Sequence, residues 1–355
     1  RLMRVAFSFT NHRRADRQKF VRSFATGKRA DGICGRRCED IRFFRYAARM
    51  NNFMRKRHTM NMNGNFSSRK YRRTMVVLIV IAAVLVLFAA VCLWGAWENT
   101  ALQLHRIDVG DAEVPEAFDG FTFAHVSDLH NTQFGQDQAR LAELLKEAEA
   151  DVIVVTGDVI DKRRPGTEHA LDFFSRAVQI APVYYVTGNH EAVSKEYPYL
   201  REKIEAMGVN VLDDRALVLE RNGENILLVG VNDPMFTTSE AEKNADIMRD
   251  KLAHLMQGFE GYAVLLSHRP ELFATYRAAG IDLAFTGHAH GGQFRLPWGA
   301  GVVAPNQGLF PKYTQGLYCE EGGKMVVSRG LGNSSVPIRL NNRPEVLAVT
   351  LHRTV

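Results

Sequence analysis

The sequence predicts an α/β sandwich of mixed β-sheets behind a single membrane-spanning helix. Three observations carry that expectation. An uncharged apolar run fills residues 75–97. From about residue 120, short apolar strands alternate with amphipathic helices. Beyond about residue 300 the pattern turns strand-rich, with few helices between.

Charge divides the chain before any motif does. Residues 1–73 carry 21 Lys and Arg against 4 Asp and Glu, and the rest carries 24 against 35. A leader of +17 is therefore joined to a body of −11, so the overall +6 describes neither part. The leader, rich in Arg, Asn and Ser and without an apolar period, is expected to be disordered on a cytoplasmic face, touching anionic lipid. A start codon at Met60 or Met62 and nucleic-acid binding are the alternative readings, the last ranked below the others. Four cysteines are too few for a disulfide framework, and Cys34 and Cys38 have no second pair to complete a zinc site.

Residues 74–97 are expected to anchor the chain. A helix of this length reaches about 35 Å, enough for a hydrocarbon core of about 30 Å. Arg69, Lys70, Arg72 and Arg73 precede the run, and Trp94 and Trp97 close it. This arrangement predicts a single pass with the N-terminus cytoplasmic and the body extracytoplasmic. A cleaved signal peptide is the rival, but no small-x-small cleavage site follows. Residues 98–119 are expected to be a short tether, in which Pro115 breaks any long helix, and 120–355 the catalytic body.

Within the body, strands are expected at Phe121–Ser127, Val152–Thr156, Val183–Thr187, 226–231, 262–267 and 282–286. Helices are expected at Gln136–Glu149 and near 168–178, 197–207, 240–256 and 271–279. The closing strands fall near 301–304, 324–328 and 346–351. No internal repeat is visible.

The strands of this series end in groups that bind metal. The first is followed by Asp128-Leu129-His130, the second by Gly157-Asp158-Val159-Ile160-Asp161, the third by Gly188-Asn189-His190-Glu191. Later strands are followed by His268 and by Gly287-His288-Ala289-His290. In open α/β sheets, ligands collect beyond the carboxyl ends of strands, where residues distant in sequence meet. Oxygen and nitrogen donors without sulfur suit manganese, iron or zinc. Any one of these elements alone carries little weight, since Asp-x-His is as readily a helix cap beside a structural histidine. Five at strand ends, in a consistent order, are not expected by chance.

The ordered set DLH, GDVID, GNHE, SH and GHAH resembles the calcineurin-like metallophosphoesterase superfamily, over roughly residues 120–351. GHAHGGQFRLP and SRGLGNSSVPIRLNNRPEV are similar to the bacterial membrane-anchored branch of that family. The resemblance implies a four-layer α/β/β/α sandwich of two mixed sheets and two divalent metal ions. Asp128, His130 and His290 would hold one ion and Asn189, His268 and His288 the other, with Asp158 bridging them. His190 would act on the substrate, stabilising the transition state or protonating the leaving oxygen. Water activated between the ions would attack phosphorus in line with the leaving group.

Other residues have two readings each. Asp161 and Glu191 either orient a histidine from behind or cap a helix. Arg269 and Gln293 lie beside ligand positions, and Arg163 and Arg164 lie in a loop, where each either touches substrate oxygens or is merely solvated. The expected function is hydrolysis of a phosphomonoester or phosphodiester at the cell envelope. A lipid-linked or UDP-sugar substrate fits the anchor. A nuclease is the alternative, opposed by the acidic body, which repels a polyanion. A non-catalytic membrane scaffold is the other, opposed by the complete ligand set.

Overall fold

The computed structural model describes residues 38–333 and 336–354, except the side chains of 38–47 and 57–67. The chain divides into two compact units, Arg1–Val84 and Leu85–Val355. Helix α1 (Cys38–Glu98) supplies the described part of the first unit, and its last turns belong to the second.

No proline interrupts α1, and Arg, Met, Ala and Lys favour helix across its polar half. The part of the leader from Cys38 to Arg73 is thus helical rather than disordered. Elongating an apolar helix adds one hydrogen bond per residue without a new nucleus, which favours this continuation. Residues 1–37, including Cys34, lie outside the described residues. Ser68–Glu98 is long and apolar enough to cross a membrane by length and composition, and none of its apolar window is buried.

The second unit is built on two six-stranded sheets. The first runs β1 (Gln103–Asp111), β14 (Glu345–Arg353), β2 (Thr122–Val126), β3 (Val152–Thr156), β4 (Val183–Val186), β5 (Asn210–Val211). Strands β2 to β5 are mutually parallel, and β14 is antiparallel to β2. The second runs β12 (Gly316–Glu320), β13 (Gly323–Val327), β9 (Leu283–Thr286), β8 (Ala263–Leu266), β7 (Glu224–Gly230), β6 (Arg215–Arg221). Its inner strands β13, β9, β8 and β7 are parallel, with antiparallel strands at both edges.

Alternation along each strand makes four layers. Val152 and Val154 of β3 join Phe123, Val264, Leu266, Phe285 and Val349 in a core between the sheets. Ile153 and Val155 face the other way. There they meet α2 (Ala139–Glu147), α3 (Glu168–Ala177) and α5 (Tyr197–Ala206), which follows the short α4 (Asn189–Val193). The outer face of the second sheet is covered by α6 (Asn244–Leu255) and α7 (Phe273–Ala278). A period-two pattern on strands buried on both sides produces this division. The mixed α/β/β/α arrangement agrees with the expectation.

The stretch 98–119, expected as a tether, instead carries β1, which pairs in parallel with β14 along its whole length. Its one-turn 3-10 helix at Glu116–Phe118 buries Phe118. Strand β1 is an edge strand with a largely polar, half-exposed sequence, so no continuous apolar run announces it. The compact unit accordingly begins at Leu85, well before residue 120. A small hairpin, β10 (Val303–Ala304) with β11 (Gly308–Leu309), stands outside both sheets.

Candidate metal centre

The carboxyl ends of β2, β3 and β4 are adjacent in one sheet, and those of β8 and β9 in the other. The loops leaving them converge. The imidazole of His268 lies with Nδ1 2.7 Å from the Thr156 carbonyl, and the His288 N–H donates to Asp128, 3.1 and 3.2 Å from its two oxygens. The two sheets are thus tied together at the centre itself.

Local geometry is unusual where the candidate ligands sit. Asp128, His130, Asp158, His288 and His290 all have φ between 46° and 62°. Side chains other than glycine seldom occupy this region, and such residues cluster at functional sites. Close approach also demands glycine next to them. A Cβ on Gly287 would collide with Ser127 Oγ and Asp128 Oδ2, and one on Gly188 with the Asp158 carboxylate.

Three groups of three candidate ligands result among the described residues. Asp128, His130 and His290 form the first, Asp158, His268 and His288 the second, and His130, Asp161 and His190 a third that shares His130 with the first, with the ligand atoms of each within 4.8 Å of one another. In the first, His130 Nε2 is 3.3 Å from His290 Nε2, and His290 Nε2 is 3.5 Å from Asp128 Oδ1. In the second, His268 Nε2 is 3.2 Å from Asp158 Oδ2 and 3.0 Å from His288 Nδ1. Asn189 Oδ1 is buried with no hydrogen-bond partner. An orphaned acceptor beside converging imidazoles and carboxylates is the donor set of an oxygen- and nitrogen-bound divalent ion, and two such ions fit the residues present.

Burial shapes the protonation of these groups. It holds His130 and His288 well below the usual histidine range and His290 at about 3, so these rings are neutral and able to ligate. Burial opposes the charge on Asp158, but the protonated His268 imidazole beside it, through its charge and hydrogen bond, overcomes this and keeps the carboxyl well below the usual range. Burial likewise opposes charge on His268, yet the carboxylates of Asp158 and Asp128 push it up to about 10. Asp128 is raised to about 6, chiefly by burial.

His190, a member of the third group, stands beside the first two. Its Nε2 is 3.9 Å from Asp158 Oδ2, and its Nδ1 accepts the Lys162 N–H at 3.1 Å. Asp161 Oδ1 is 3.4 Å from the same Nδ1. Burial lowers its pKa. Glu191 is the buried cap of this corner: its carboxyl oxygens accept from the backbone N–H groups of Asp158, Gly188 and Ile160, while burial and the nearby Asp158 charge push its pKa up to about 8.

The remaining named residues separate. Arg269 lines the cleft, but its guanidinium is held by Asp233 through two hydrogen bonds of 2.6 and 2.8 Å, so its charge is already matched. Gln293 donates to the Val336 and Ile338 carbonyls and serves the fold instead of the substrate. Arg164 pairs with Asp161, whereas Arg163 and Lys162 line a cleft of about 280 Å³ above the clusters.

Sequence reasoning missed Lys162, Asn342 and Arg339. Asn342 Nδ2 donates to the His290 and Gln293 carbonyls, 2.7 and 3.1 Å away. The fully buried Arg339 donates to the Gly332 and Arg329 carbonyls, fixing the loop whose Gly330 abuts Asp128. The only signal for the last two was their place in the polar run RLNNRP.

Residues 121–292 match the family model described as calcineurin-like phosphoesterase. The chain is 27% identical over 260 residues to an uncharacterized metallophosphoesterase of Bacillus subtilis, YkoQ, spanning 72% of this chain and 92% of that one. It is 27% identical over 296 residues to a Danio rerio transmembrane protein with metallophosphoesterase domain, spanning 80% and 64%. It is also 27% identical over 237 residues to the phosphodiesterase YaeI of Escherichia coli, spanning 65% and 82%.

Proposed function

We propose that this chain, a calcineurin-like metallophosphoesterase and hence a metal-dependent phosphoester hydrolase, works through a two-ion centre and is anchored in a membrane by α1. Asp128, His130 and His290 hold one ion, and Asn189, His268 and His288 the other. Asp158 bridges them.

The observation that carries this reading is the position of one oxygen. Asp158 Oδ2 is 3.2 Å from His268 Nε2 in one cluster and 3.8 Å from His130 Nε2 in the other. Its other oxygen is engaged elsewhere, accepting the His190 N–H at 2.8 Å. A single carboxylate oxygen thus faces both clusters.

Two divalent ions in these positions would lower the pKa of a water and neutralise charge on phosphoryl oxygens. The protein's own part is orientation and hydrogen bonding. Neutral His190 accepts at Nδ1, so its proton sits on Nε2, on the side of Asp158 Oδ2. As water attacks phosphorus and the opposite P–O bond breaks, the Nε2–H of His190 would donate a hydrogen bond to an oxygen on which negative charge develops. The oxygen and nitrogen donors suit manganese, iron or zinc. The similarity to a protein named as a phosphodiesterase supports a diester substrate.

Arg69, Lys70, Arg72 and Arg73 before the apolar run, with Trp94 and Trp97 at its end, support a cytoplasmic N-terminus and an extracytoplasmic catalytic unit. A membrane-resident substrate suits an enzyme so anchored.

The test is hydrolysis of bis-p-nitrophenyl phosphate and p-nitrophenyl phosphate by the full chain in nanodiscs. Manganese, iron or zinc should support release of p-nitrophenol, faster from the diester, and a chelator should abolish it. Absence of hydrolysis by metal-loaded protein with every ion tested would leave a scaffold as the better reading.

A further inference from the structure

We propose that residues 296–311 form a second membrane contact, which lies on the bilayer surface beside the end of α1 and holds the mouth of the metal cleft there. The proposal rests on the reading that Ser68–Glu98 crosses the bilayer.

Exposure singles out this segment. Beyond Glu98, the three most exposed large apolar side chains among the described residues are Trp298 at 75%, Leu309 at 71% and Phe310 at 68%. The next, Val218, is at 52%. All three of the leading residues sit on a single structure. Leu296 and Ala300 close a tight turn that presents Trp298, and Phe310 N–H donates to Val302 across the β10–β11 hairpin. Phe310 and Gly299 line the same shallow depression, so the turn and the hairpin are neighbours.

Charge points the same way. Residues 296–311 contain no Asp, Glu, Lys, Arg or His, in a chain that is 24% charged. The flanking Arg295 is buried, donating to the Gly291 carbonyl and Thr314 Oγ1, while Lys312 at the other flank pairs with Glu320 and lies over the Tyr313 ring. An uncharged stretch bearing Trp, Phe and Leu and flanked by a lysine has the composition of an interfacial anchor. A large exposed apolar patch on a charged unit marks an interaction site.

The place in the fold names the partner. Arg295 N–H donates to the Leu340 carbonyl, and Asn341 Nδ2 donates to that of Arg295. Ile338 and Leu340 in turn pack against Gly95 of α1, where a Cβ would collide with Ile338. Around Gly95 the helix exposes Leu93 at 72% and Trp94 and Trp97 at 55% each. Trp298 is three residues from Arg295, a span of at most about 10 Å. The apolar segment therefore emerges next to the aromatic end of the helix. Its hairpin turn also supplies Pro305 and Asn306 to the lining of the metal cleft. A phosphoester at the membrane surface would reach the ions without leaving the bilayer.

The chain has three tryptophans, Trp94, Trp97 and Trp298, so W94F/W97F leaves Trp298 as sole reporter. The full-length variant is placed in nanodiscs made with plain or acyl-brominated phosphatidylcholine. Bromine should quench Trp298, and aqueous iodide should not. W298F, read in parallel, reports on Trp94 and Trp97 alone. Quenching by bromolipid in W298F but not in W94F/W97F would overturn the surface contact and leave the anchor standing. Quenching in neither would overturn both. Trp298 shielded from iodide without bromine quenching, in a particle that light scattering shows to hold two copies, would assign the patch to a second chain and also overturn the proposal. If W94F/W97F fails to fold, the difference in quenching between wild type and W298F gives the same readout.

Discussion

The backbone N–H of Lys162 donates to Nδ1 of His190 at 3.1 Å. The bond selects a tautomer: an imidazole that accepts at Nδ1 carries its proton on Nε2 when neutral. Burial keeps the ring neutral, and Nε2 lies on the side of Asp158. His190 is thereby set to donate a hydrogen bond from Nε2.

His190→Ala should therefore lower kcat by roughly 10²–10³-fold, the usual worth of a positioned hydrogen-bond donor to developing negative charge. Metal content by elemental analysis should stay at the wild-type level. Parallel loss of ions and turnover would make His190 a ligand instead.

Glu191→Gln tests the cap behind the centre. The wild-type carboxyl oxygens accept three backbone N–H groups. In glutamine one of those acceptors becomes a donor that faces other donors. The substitution should cost about 2–4 kcal/mol in denaturant-measured stability. An unchanged unfolding midpoint would show that the loops at Asp158 and Gly188 are held by something else.

Metal affinity should rise with pH, differently at the two positions. In metal-free protein His268 keeps its proton up to about pH 10, and that proton must leave when an ion binds. Affinity at the His268 position should climb about tenfold per pH unit through neutrality, since one proton is displaced. Asp128 is raised only to about 6, so affinity at its position should level off above that pH. Calorimetric titration at pH 5.5, 7 and 8.5 reads both slopes, and two pH-independent affinities would contradict the assignment.

Asn342 offers a way to weaken one position alone. It supports His290 through the carbonyl of that residue and also accepts nothing from the second cluster's ligands in the described contacts. Asn342→Ala should reduce affinity for the ion at Asp128, His130 and His290 by about 10–100-fold, as loss of a supporting contact does. The other ion should bind as before. Equal weakening of both would mean a global loosening of the fold.

The convergence of the candidate ligands was legible in the sequence because these residues follow strands that are buried on both sides. Val152–Thr156 and Leu283–Thr286 are buried throughout and apolar up to their closing threonine, and they stop abruptly at Gly157-Asp158 and Gly287-His288. The edge strand β1 was not legible, since half of it faces solvent and its partner β14 is at the far end of the chain. The same holds for β6 and β12, edge strands with half-exposed sequences. Pairwise roles were hidden as well. Arg269 read as a candidate for substrate oxygens because its partner Asp233 lies 36 residues away. Nothing local showed that Lys162 would fix the His190 tautomer through its backbone, since any residue there but proline supplies an N–H.

The bridge at Asp158 is tested most directly by titrating manganese into chelator-stripped protein while ions bound and diester hydrolysis are read together, in wild type and in Asp158→Asn. In the wild type, activity should appear only as the second ion binds and should plateau at two ions per chain. Asp158→Asn should lose affinity at both positions together. Full activity with one ion per chain, or an Asp158→Asn protein that still holds two, would contradict the two-ion centre built on this carboxylate.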